Sequence, residues 1–264
     1  MSSSAATSML ATPGQARFAR YAYPPNELGY CGPDGAETLL GVAAGGEHES
    51  AGSTPTRRDD VDRRARAFDG AWVYLELIAA SCGIADPLDE RVVEAYWLGN
   101  DLLERVDPRV FAATVRTAFA AQTGADWRLL AAREPCAVPH HSFQVFSVYP
   151  WVGLLGRGDT ARHVLDRCRI RNGLVESLSG EEMEVRSRLL TWDGRRLGLG
   201  EPVSEVVRWS AAGQALSGPR RPDPGDVVAL HWEWVCERLT PEQVDGLDRY
   251  TARQLDLTNA ALAG

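Results

Sequence analysis

The chain has 264 residues, 44% of them hydrophobic and 24% charged, enough apolar material for one large core or two modest ones. Its net charge of −8 disfavours a phosphate-backbone binder, and all 28 basic residues are arginine, which removes the Schiff-base, phosphate-loop and Ser-Lys mechanisms that need a lysine. No apolar run approaches the roughly 18 residues of a membrane span.

The opening MSSSAATSMLATPG lacks the basic start and apolar centre of a secretory signal, so residues 1–14 read as a disordered tail. The five cysteines (31, 82, 136, 168 and 236) are odd in number, scattered and without a CxxC pair. That usage points to reduced thiols in a cytoplasm rather than to a disulfide framework.

Residues 15–158 read as a helical domain. Val61, Ala65, Phe68, Trp72, Leu75, Ala79 and Cys82 recur at spacings of four and three, the seam of one amphipathic helix stopped by Gly83. Val92, Val93, Tyr96, Trp97, Leu103 and Val106 line a second. Asp107-Pro108 is an N-cap with proline at the first helical position, opening a third through Val110, Phe111, Val115 and Phe119. The insert GGEHESAGSTPTRRDD (45–60), which includes His48, reads as a flexible loop. In PCAVPHHSFQVFSVYPWVGLL (135–155) helix and strand patterns fit equally well.

From 159 to 264 the texture changes to short runs of β-formers, ending in a helix that Thr240 caps and Pro241 starts. Asn172-Gly173, Ser179-Gly180, Asp193-Gly194 and SGPRRPDPGD are the turn signals between runs. The expected fold is therefore α+β: a helical bundle, then a small antiparallel barrel with a C-terminal helix.

One polar residue interrupts the apolar run PGDVVALHWEWVC. With Asp226–Val235 extended, Val228, Leu230, Trp232 and Trp234 share a core face, and Val227, Ala229, His231, Glu233 and Val235 share the other. Glu233 then lies roughly 7 Å along from His231, placed to orient its ring through a neighbour. In DRCRIRNGLV, read as the first strand, Arg167, Arg169 and Arg171 alternate with Cys168 and Ile170, and flanking guanidinium groups favour a thiolate. The plain alternative is a small buried hydrophobe at 168.

Cys168 followed by Gly173-Leu-Val175, then Gly225-Asp-Val-Val228-Ala-Leu-His231 and a helical tail, resembles the HypC-type nickel–iron hydrogenase maturation chaperones. The resemblance covers Asp166–Asp256. That family's Cys follows the initiator Met, whereas Cys168 is internal, and Asn172 stands where the family has proline. The resemblance implies that Cys168 and His231 are a metal pair, handling iron that carries cyanide and carbonyl ligands in transit to the hydrogenase large subunit. The stretches FARYAYPPNELGYCGPDGAETLL, EAYWLGN and PHHSF also look like an uncharacterised bacterial family of hydrogenase-associated proteins.

Cys136, His140 and His141 form a second candidate site at Cys-x3-His spacing, with Cys31 of YCGP as a further ligand. No GxSxG elbow, HExxH helix or phosphate-cradling glycine loop is present. Three readings result. The first is a non-catalytic accessory factor for hydrogenase maturation acting through Cys168 and His231. The second is a scaffold that binds the large subunit and maturation proteins without chemistry. The third is an enzyme built around His140 and His141. None involves nucleic acid or a membrane.

Overall fold

A computed structural model describes residues 11–44, 58–123, 136–211, 213–218 and 220–263; His48 and most of the expected tail and flexible loop lie outside them. The fold is α+β, as the sequence pattern predicts. Helix α1 (Pro13–Glu27) starts from a capping box, in which the Thr12 side chain and Gln15 exchange hydrogen bonds with each other's backbone. Pro24 and Pro25 sit inside its last turns. Neither has an amide hydrogen, so the carbonyls four residues earlier, at Arg20 and Tyr21, lose their helical donors.

Helices α2 (Glu37–Ala43), α3 (Arg58–Arg66), α4 (Asp69–Cys82) and α5 (Glu90–Trp97), a 3-10 turn (Asp101–Arg105) and α6 (Pro108–Thr123) complete the helical half. The single seam expected from Val61 to Cys82 is two helices. Phe68 leaves helical geometry at φ −90°, ψ 77°, and the chain bends there so that both segments keep their apolar faces inward. The stop at Gly83 holds, with φ +69°. Asp107 caps α6 by accepting from the Arg109 amide at 2.8 Å.

The ambiguous 135–155 stretch resolves into a helical turn at His141–Phe143, a wider π turn at Gln144–Val148 and a 3-10 turn at Val152–Leu154. Helix α7 (Asp159–Cys168) follows. The expected first strand is therefore overturned at its start: Cys168 is the last residue of a helix. The amphipathic spacing of Ala161, Val164, Leu165 and Cys168 buries one side of that helix.

Strands β1 (Arg171–Ser179), β2 (Glu182–Trp192), β3 (Leu197–Arg208), β6 (Val227–His231) and β7 (Trp234–Arg238) close a barrel in the order β1-β2-β3-β7-β6. The short β4 (Ser210–Ala211) and β5 (Gln214–Ala215) pair with each other. Ser179-Gly180 and Asp193-Gly194 make turns as expected, but Asn172-Gly173 lies within β1, paired with Ala229 and Val228. Helix α8 (Pro241–Leu262) repeats the capping box with Thr240 and Gln243.

The long strand expected over Asp226–Val235 is also two strands. Trp232 takes φ +54°, a left-handed conformation rare for a bulky residue, and reverses the chain between β6 and β7. Alternation holds up to that point: Val228 and Leu230 fill the barrel with Val175, Met183, Val185 and Val235. Beyond it the assignment fails. Trp234 joins the core of the helical half, and Trp232 packs with Val164, Leu165 and Cys168.

Both halves share a core, because Ala229, Trp234 and Cys236 pack into the same cluster as Phe18, Tyr21 and Trp97. Glu237 pins this junction: it accepts from the Tyr21 hydroxyl at 2.8 Å and pairs with Arg17 at 3.2 Å and Arg20 at 3.5 Å. Glu237→Ala should cost about 1.5–3 kcal/mol in chemical denaturation, since it removes the acceptor of the buried Tyr21 hydroxyl and the carboxylate beside Arg20, while Arg17 keeps Glu90 and Glu94. A loss below about 1 kcal/mol would show that the junction rests on apolar packing alone.

Candidate metal centre

His231 sits at the end of β6, on the face opposite the barrel interior, and is fully buried. Its Nδ1 lies 2.7 Å from the Tyr21 carbonyl, one of the two that the prolines of α1 leave without a helical partner. A carbonyl only accepts, so Nδ1 carries the proton and donates it. That assigns the tautomer. Nε2 is left with its lone pair, and this buried atom has no hydrogen-bond partner. Burial first, then the neighbouring His141, hold this imidazole well below its ordinary pKa, against the Tyr21 and Cys168 carbonyls, which favour the charged ring. The ring is neutral and ready to act as a ligand.

Cys168 ends α7, where the last carbonyls of the helix lack internal donors. The Trp232 amide donates to the Arg167 carbonyl at 2.8 Å, and the ring of His141 approaches the Cys168 carbonyl at 2.8 Å through Nε2. These two bonds tie the helix end to the β6–β7 turn and to the 141 turn. The thiol is pushed well up, chiefly by burial and also by the Cys31 thiol. The arginines expected to favour the thiolate are engaged elsewhere: Arg167 with Glu205 and Glu233, and Arg169 with Asp166. The helix dipole also opposes negative charge at a C-terminus. Cys168 is therefore held as a neutral thiol.

His141 follows His140, whose ring nitrogen accepts from the Ser142 amide at 3.1 Å and caps the turn. Its Nδ1 lies 3.1 Å from the Tyr96 hydroxyl, which is also 2.8 Å from the Gly70 carbonyl. With the proton on Nε2, His141 donates to the Cys168 carbonyl and Tyr96 donates to Nδ1, which satisfies both contacts of the ring. With the proton on Nδ1, Nε2 meets the Cys168 carbonyl lone pair to lone pair, so Nε2 can act as a ligand only once that 2.8 Å contact opens. Burial pushes His141 down to about 4.

One ligand atom each from His141, Cys168 and His231 lies within 4.8 Å of the others, and all three residues are buried. Trp97 stands over both imidazoles, with ring centroids 4.6 Å from His141 and 5.7 Å from His231. Two imidazole nitrogens and one sulfur form a borderline-soft donor set suited to zinc, copper or iron rather than to magnesium or calcium. The orphaned Nε2 of His231 supports that fit, because a buried nitrogen lone pair without a donor is otherwise a cost.

The predicted pair of Cys168 and His231 is thus brought together, although by a helix end and a strand end rather than by two strands. The predicted trio of Cys136, His140 and His141 is not. Cys136 is exposed, and its carbonyl accepts from Arg253 at 2.8 Å. His140 bonds Ser142 at 2.7 Å and stacks on Tyr250 at 5.4 Å. Only His141 of that trio joins the cluster. Glu233 gives no support to His231: it lies in the turn, with its side chain 46% exposed and 3.7 Å from Arg167. Sequence reasoning missed Tyr21, Tyr96 and Pro25. The signal for the first and last was present in YAYPP, since a proline inside a helix frees a specific carbonyl.

The chain belongs to DUF6390, a family of unknown function whose profile matches residues 10–264. No curated protein and no solved structure gives a significant match to the chain. Among the described residues no helix is long and apolar enough to cross a membrane.

His140 is pushed down to about 3, His141 to about 4 and His231 well below its ordinary value, all by burial first. In the unfolded chain these rings titrate near roughly 6.5, so between that pH and the folded values the unfolded state binds more protons. Their stabilising neutral burial is complete above about pH 6.5 and is lost as the pH falls. Urea unfolding at pH 5 should show about 2 kcal/mol less stability per ring than at pH 7, and His141→Gln should remove about one third of that slope. Stability independent of pH across this window would contradict neutral burial.

Proposed function

We propose that this protein is a non-catalytic, metal-binding accessory protein that holds one soft transition-metal ion through His141, Cys168 and His231. The observation behind this reading is the convergence of ligand atoms from three buried residues, one of which, His231, has a buried ring nitrogen that makes no hydrogen bond in the geometry observed. The Tyr21 carbonyl behind His231 is the kind of outer partner that fixes a metal-binding tautomer. When bound, the ion would supply charge and cross-linking between three separate segments of the chain.

The order of Cys168, Gly173 and His231 supports hydrogenase maturation as the setting, with the large subunit as partner and an iron-cyanide-carbonyl fragment as cargo. Burial bears on how such a cargo would travel. Cys168 is 8% exposed and His231 is 0% exposed, so a handover requires the cover over them to open. A donor set this enclosed suits a resident ion better than one released at each encounter.

Protein purified without chelating tags, or reconstituted with zinc or iron(II), should contain about one metal ion per chain by elemental analysis. Cys168→Ala and His231→Ala should each abolish retention through dialysis. Infrared spectra after co-expression with hydrogenase maturation proteins test the cargo form, which requires cyanide and carbonyl stretches that vanish in Cys168→Ala. A wild-type chain that retains no metal after reconstitution sinks the reading.

A second prediction uses the helix. Pro25→Ala returns an amide donor to α1, which competes with His231 for the Tyr21 carbonyl. Metal affinity should weaken roughly 10–100-fold, as when an outer-shell partner is lost, while thermal stability changes little. Unchanged affinity would mean that the Tyr21 bond does not prepare His231.

A further inference from the structure

Three donors leave a tetrahedral ion one position short, and their charge leaves a second deficit. One thiolate and two neutral imidazoles around a divalent ion carry a net charge of +1. The three donor residues are buried, and Trp97 packs over both rings. An uncompensated buried charge is strongly unfavourable, so a divalent ion here calls for a second anionic ligand.

Cys31 is positioned to be that ligand. The preceding residue, Tyr30, stacks on Trp232 with ring centroids 4.3 Å apart, and Trp232 directly follows His231. The Cys31 thiol lies near enough for its ionised form to push up Cys168, Tyr96 and Tyr149, all groups beside the cluster. Its backbone is held: the Asn26 side-chain amide donates to the Cys31 and Pro33 carbonyls at 2.9 and 2.8 Å. Gly32, at φ +87°, presses onto the Phe68 ring, where a Cβ would come within 2.2 Å. Cys31 itself is half-buried, whereas the three donor residues are buried.

We propose that Cys31 closes onto the cluster as the fourth protein ligand, giving a neutral two-thiolate, two-imidazole shell for a divalent ion of the zinc class. This inference rests on the metal-binding reading above and adds the ligand, the charge state and the ion class. Cys31 lies outside the group of three donors within 4.8 Å, so coordination requires its side chain to swing inward while Asn26 holds the backbone. Both thiols lose a proton on binding, and the two protons leave to solvent.

Cobalt(II) is the probe, added to the reduced full-length protein. Wild type should bind with a tetrahedral spectrum and release two protons, counted by calorimetry in buffers of different ionisation enthalpy. Cys31→Ser should halve the thiolate-to-cobalt absorption, release one proton and bind more than about 100-fold more weakly, beyond the loss typical of outer-shell changes. Cys31→His should restore tight binding with one proton released, which a merely structural role for Cys31 would not produce. Wild type that releases one proton, with a spectrum unchanged in Cys31→Ser, overturns the fourth ligand and leaves the three-donor site standing. Binding of copper(I) but not cobalt(II) or zinc overturns the divalent class. Failure to bind any of these ions overturns both readings.

Discussion

A helix with two consecutive prolines in its last turns cannot satisfy all of its own carbonyls, and the candidate centre is organised around one such vacancy. The Tyr21 carbonyl receives the Nδ1 proton of His231 because residue 25 has no amide hydrogen to offer. This single bond joins the first helix to the sixth strand, selects one tautomer of a buried imidazole and leaves its second nitrogen bare. The same logic recurs at the end of α7, where carbonyls without helical donors take the Trp232 amide and the His141 ring. Unsatisfied helix ends, rather than a preformed pocket, draw the donor residues together.

The environment of these groups opposes charge throughout. All three histidines near the junction are fully enclosed and kept neutral, and the Cys168 thiol is pushed up by burial. Elsewhere the protein does bury charge, but in compensated networks. Arg171 and Arg167 share Glu205, and Arg169 pairs with Asp166, so each internal guanidinium has a carboxylate in contact. The cluster of His141, Cys168 and His231 is different: its groups are kept neutral and form no ion pair among the described residues.

Much of the architecture was legible in the chain. Helical spacing before residue 120, caps at Asp107 and Thr240, and β-rich runs after residue 170 all correspond to observed elements. Boundaries were less so. Phe68 and Trp232 sit at breaks, yet neither is a residue that signals one, since tertiary packing rather than local preference sets their backbone. The strand expected through Cys168 failed because a short helix and a short strand can both bury alternate residues around a cysteine. The proximity of Cys168 and His231 was expected only through the resemblance, and on the premise of two facing strands; a helix end and a strand end bring them together instead. The joining of His141 to them was not expected, because both adjacent histidines are buried and nothing local says which of them turns toward Cys168. That choice follows from the N-cap at His140, which commits its own ring nitrogen to the Ser142 amide.

The bond from His231 to Tyr21 spans 210 residues of sequence. Closing a contact over that separation costs chain entropy, so the Tyr21 carbonyl and the shared core of helices and barrel are completed only when α1 and the β6–β7 pair dock as one unit.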